Sequence, residues 1–179
     1  MAFPSFASGD VLNASDMNAV GLWLVKTQTV GSAVSSVTVT GAFSSTYDNY
    51  WITLTGGTCS TTTVLNLALG STTTGYYFAG RNLSYSSVAT DVAASNTSRW
   101  EIGVGTTDNL YMSATLFMPN LTKRTIMTSG YVFGNPSGGG DACALNGYLN
   151  NATSYTAFTI STTSGTMTGG TIRVYGYRN

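Results

Sequence analysis

Gly169-Gly170-Thr171-Ile172-Arg173-Val174-Tyr175-Gly176-Tyr177-Arg178 has the pattern of a long closing strand. Side chains alternate along a strand, so Ile172 and Val174 share one face while Thr171, Arg173, Tyr175 and Tyr177 share the other. β-branched and aromatic residues suit a pleated, half-buried surface. Gly169-Gly170 frees the chain to turn before it, and Gly176 leaves room for another backbone or a bulky ring. The spacing predicts a central or near-central strand that earlier strands pair with or pack against.

Working back along the chain, the same period of two recurs. Tyr50, Ile52 and Leu54 alternate with Trp51 and Thr53; Leu65, Leu67 and Leu69 alternate with Asn66 and Ala68. Val37 and Val39, then Trp100, Ile102 and Val104, then the run Leu110, Met112, Ala114, Leu116 and Met118 do likewise. Residues 22–30, 125–133, 142–149 and 155–160 complete the set. Each run is strand-length and bounded by Gly, Asn, Asp, Ser or Pro. About ten short strands with no long helical pattern between them imply an all-β fold, an antiparallel two-sheet sandwich of jelly-roll type. Residues 75–98 carry the weakest pattern and read as a hairpin and a long loop at one end of the sandwich.

One short helix is expected, at the start. Asn13 is placed as its N-cap and Asp16 as a capping-box analogue, with Leu12 and Met17 as a hydrophobic staple. The helix would run over residues 14–21, with Leu12, Met17 and Val20 on one side. A helix this short must dock on something. Phe3 and Phe6 precede it and are expected to dock with it. This divides the chain into a leader and short helix, 1–22, serving attachment, and a β-sandwich domain, 23–179.

Composition limits the function. The 179 residues suffice for one domain with a core that buries roughly 70% of the unfolded surface. Charged residues are 8% of the chain, against about 25% in ordinary soluble proteins, and the net charge is zero. No basic patch is available to attract nucleic acid or an acidic membrane. No apolar run approaches the roughly 20 residues of a membrane helix, and the start has no signal-peptide pattern. The surface must be built of Ser, Thr, Asn, Gly and Tyr, which argues for cover by other subunits. Cys59 and Cys143 read as two reduced, partly buried thiols; the alternative, a disulfide, needs Cα atoms about 4.4–6.8 Å apart.

Chemistry is scarce. The chain has no histidine, which removes the Ser-His-Asp and Cys-His arrangements and His-based metal sites. No phosphate loop and no Asp-x-Asp calcium loop is present, and no cofactor is expected. Asp91, Glu101 and Asp108 are the carboxylates that could meet as a glycosidase pair, but turn Asp residues commonly cap their own backbone. The chain therefore reads as a non-enzyme. Sugar binding needs only a flat ring and neutral hydrogen-bonding groups, and Tyr76, Tyr77, Tyr85 and Trp100 are the candidates. The same rings also suit a core or a subunit contact.

Three segments carry a resemblance. Residues 6–18, Phe-Ala-Ser-Gly-Asp-Val-Leu-Asn-Ala-Ser-Asp-Met-Asn, resemble the opening of tailed-bacteriophage virion proteins, especially tail-fibre and minor tail proteins. Val34 to Tyr50, with Val37-Thr38-Val39-Thr40, Phe43 and Tyr47-Asp48-Asn49-Tyr50, resembles the body of phage structural proteins, as does the close from Ser164 to Tyr177. Together they cover under half the chain; residues 57–150 carry no resemblance. The resemblance implies a virion structural protein, assembled in the host cytoplasm, with a β-sandwich fold and usually a homotrimer. Its partners would be other copies, other virion proteins and a host surface glycan. With no shaft or coiled coil, the chain matches a compact tail appendage, or a head decoration or head-fibre protein that stabilises the capsid. A carbohydrate-binding module for host glycans is a further alternative.

Overall fold

The computed structural model describes residues 8, 9, 11, 21–134 and 139–177. The expected helix over residues 14–21 and the attachment residues Phe3, Phe6, Leu12, Met17 and Val20 lie outside the described residues, Gly21 excepted. The described residues contain no helix. They form β1 (Leu22–Thr29), β2 (Ser36–Val39), β3 (Asn49–Thr55), β4 (Thr58–Cys59), β5 (Thr63–Leu69), β6 (Tyr76–Ser84) and β7 (Ala89–Thr97). Then follow β8 (Trp100–Gly105), β9 (Met112–Phe117), β10 (Ile126–Gly134), β11 (Gly140–Leu149), β12 (Phe158–Thr162), β13 (Met167–Thr168) and β14 (Thr171–Tyr177).

The strands form an eight-stranded sheet in the order β1-β14-β3-β9-β10-β11-β6-β7 and a four-stranded sheet in the order β2-β12-β5-β8. The two-residue β4 and β13 pair separately. All pairings are antiparallel. The result is the expected all-β sandwich. Alternation turns one face of each sheet inward: Tyr50, Ile52, Leu54, Met112, Leu116, Ile172 and Val174 from the larger, Leu65, Leu67, Leu69, Phe158 and Ile160 from the smaller, all fully buried.

The closing strand is β14. Ile172 and Val174 point into the core and Tyr175 and Tyr177 outward, as the alternation predicts. It lies between β1 and β3, second from an edge of the larger sheet, and pairs on both sides. Gly169 and Gly170 have φ of 70° and 93°, a region that glycine enters without strain.

Residues 75–98 depart from expectation. They hold no long loop: β6 and β7 pair as a hairpin of two nine-residue strands. The alternation is faint there because the far half of the hairpin projects past the smaller sheet. Both of its faces are exposed or half-buried, so neither selects for apolar side chains.

Buried polar groups tie the layers together. Ser129 Oγ of β10 lies 2.7 Å from the Ile102 carbonyl oxygen of β8 in the opposite sheet and 3.0 Å from that of Ser113. Tyr50 Oη accepts from the Ser44 amide and donates to the Ser44 carbonyl, each at 2.8 Å. That holds the β2–β3 connection onto the core, in the manner of a tyrosine corner. Tyr76 Oη accepts from the Leu69 amide at 2.7 Å and fixes the β5–β6 turn in the same way. Cys59 and Cys143 are buried free thiols.

Candidate functional site

Among the described residues, no segment covers the outward face of the eight-stranded sheet. The strand registers align Leu22, Tyr177, Asn49, Phe117, Ile126, Tyr148 and Tyr77 in one row across seven strands. Two residues further along, Leu24, Tyr175 and Trp51 begin a second row. Leu24 is 54% exposed, and Leu22, Tyr177, Ile126 and Tyr148 are each exposed by more than a third.

The rings on this face brace one another. Trp51 and Tyr175 pack with centroids 5.4 Å apart, and Trp51 Nε1 donates to Ser113 Oγ at 2.8 Å. Tyr77 and Tyr148 stack face to face, 5.0 Å apart and 3° from parallel, with the Arg124 guanidinium carbon 5.9 Å from the Tyr148 centroid. Cross-strand aromatic pairs of this kind hold their side chains in place before any partner arrives. Charge is sparse: Arg124 beside Tyr148, Arg173, and the exposed Arg81–Asp91 pair at 3.1 Å, which adds little stability. A broad, rigid, nearly uncharged face presents apolar area and ring faces.

The four sequence-predicted glycan residues separate. Tyr76 and Trp100 are fully buried and meet edge to face, with centroids 4.9 Å apart, so neither is open to a glycan. Trp100 Nε1 donates to the Tyr77 carbonyl at 3.2 Å, which locks β8 to β6. Tyr77 belongs to the outward row, and Tyr85 is exposed at the β6–β7 turn. Sequence reasoning did not single out Trp51, Phe117, Tyr148 or Tyr175 as surface residues of one site. The signal was their outward parity, but joining them required the strand order.

Among the described residues, the three carboxylates weighed for catalysis lie at separate places. Asp91 of β7 is paired with Arg81 of β6, Glu101 of β8 lines one groove, and Asp108, in the β8–β9 turn, lines another cavity with Tyr111 and Phe133. Burial pushes the Glu101 carboxyl above its ordinary range. Among the described residues no group of three or more His, Cys, Asp or Glu side chains is placed to hold a metal ion.

No protein-family model, curated protein or solved structure matches this chain.

Proposed function

We propose that this chain is a structural subunit of a tailed-bacteriophage virion. It is a compact tail appendage or tail-fibre-type protein that docks on the particle through residues 1–22 and assembles as a homotrimer. The observation that carries this reading is the outward row from Leu22 to Tyr77. An apolar face of this breadth on a chain of zero net charge and few charged residues is the mark of a surface that works covered. The resemblance of the opening and closing segments to phage virion proteins points the same way. The finer jelly-roll assignment draws support from the smaller sheet, where the late strand β12 inserts between the early strands β2 and β5.

The chain acts by fitting against neighbours and not by turnover. Stability would come from rings and hydroxyls at subunit contacts, since exposed ion pairs contribute about 0–1 kcal/mol. The test is incorporation into particles. Full-length chain should co-purify with intact virions and appear in a cryo-EM map at the tail. A chain lacking residues 1–22 should fold and stay off the particle. A chain found only free in the host cytosol would refute the reading.

A second reading, host-glycan contact, is favoured by the exposed Tyr77–Tyr148 stack, whose faces can receive a sugar ring. It is compatible with the first. Glycan binding that vanishes in Tyr148→Ala would support it, and a glycan array without hits would remove it.

A further inference from the structure

A groove of about 290 Å³ opens where the β6–β7 hairpin meets the β8 edge of the smaller sheet, lined by Asn66, Phe78, Thr97, Arg99, Glu101 and Thr163. Its size sits near the lower end of small-ligand pockets. A β-bulge shapes it. Leu65 pairs with Gly103 but Asn66 with Glu101, so Ile102 drops out of the ladder and Asn66 stands directly opposite Glu101. Bulges re-aim side chains in this way.

Two acceptors in the groove lack donors. Asn66 is 3% exposed, and its Nδ2 donates to Thr163 Oγ1 at 3.0 Å and, weakly, to the Val64 carbonyl at 3.4 Å. No donor among the described residues meets its Oδ1. The half-buried Glu101 carboxylate has neither a hydrogen bond nor an ion pair among them. The titratable groups whose charge couples with it, Tyr131 and Cys143 of the larger sheet, bring it no positive charge. Both acceptors line the open groove and are free to receive hydrogen bonds from a ligand.

We propose that this groove binds a neutral saccharide unit, whose hydroxyls donate to the Glu101 carboxylate and Asn66 Oδ1. The Arg99 guanidinium and the Thr163 hydroxyl hydrogen supply donors to ring and hydroxyl oxygens. Phe78 is buried and closes the apolar side of the groove. An anion would meet the unpaired carboxylate, and a metal ion would lack a ligand set. Thr97 Oγ1 donates to the Arg99 carbonyl at 3.0 Å and shapes the turn that carries Arg99. The proposal rests on the host-contact part of the reading above and moves that contact away from the tyrosine stack.

The test is an NMR titration of the full chain with the methyl glycosides of glucose, galactose, mannose and N-acetylglucosamine. At least one should move the amides of Asn66, Thr97 and Glu101 saturably. Glu101→Gln, which keeps the shape, should weaken that glycoside about tenfold or more, while Val88→Ala, at the exposed tip of the β6–β7 hairpin, leaves it unchanged. Three outcomes would each overturn the groove: no glycoside moves these amides, Glu101→Gln binds as tightly as the parent, or the shifts centre on Tyr77 and Tyr148. Mass measured on the same samples separates the two readings. A trimer without groove binding sinks the groove alone; a monomer that binds sinks the assembly and keeps the groove.

Discussion

The ring of Tyr47 lies against the backbone of Gly176, in the space that a β-carbon on β14 would need. Tyr47 in turn meets Tyr50 edge to face, with centroids 6.0 Å apart. The closing strand and the approach to β3 are therefore fitted around one missing side chain. Gly176→Ala should destabilise the fold by about 1–3 kcal/mol, because the ring must move to admit a methyl group. Chemical denaturation should show this, and Tyr47→Ala in the same chain should make the glycine substitution nearly free.

Tyr76 Oη is the partner of the Leu69 amide. Tyr76→Phe leaves that amide unsatisfied in the core and should cost about 1–3 kcal/mol, read from the denaturant midpoint.

The same phenol fixes the alkaline limit. Burial raises the Tyr76 pKa from 10.0 to about 12, and burial raises that of Tyr131 as well. A folded-state pKa above the unfolded one means that the fold holds the proton more tightly. The contribution is complete below pH 10 and is lost as pH rises through about 12. Thermal melts should fall across that window, and less steeply in Tyr76→Phe.

Glu101 titrates at the other end. Burial raises its pKa, so its protonated form favours the fold; that contribution is present at acid pH and is lost as pH rises through the folded-state value. Glu101→Gln should therefore be as stable as the parent or more so at neutral pH. A clear loss of stability would mean that the carboxylate has a structural partner.

Much of this architecture is legible from period-two alternation alone. Ile172, Val174, Leu65 and Leu67 face a core in any sandwich, and they do so here. The β6–β7 hairpin was obscured because both faces of its far half meet solvent, which leaves Ala, Ser, Asn and Thr without a pattern. β4 and β13 are two residues each, too short for a period to show. The surface was harder still. Trp100 and Tyr77 are both rings near a strand start, yet one is core and the other faces outward. Trp51 and Tyr148 join one face only through the non-local order β3-β9-β10-β11. The groove depends on a bulge that puts Asn66 opposite Glu101, and no local pattern announces it.

The central claim is that the outward face works covered by neighbouring copies, and light scattering tests it most directly. The account predicts three times the 18.7 kDa chain mass, unchanged in about 1 M salt because few charges hold the contact, and a folded single-chain species for Ile126→Glu. A mass of 18.7 kDa for the parent chain at every concentration would contradict it.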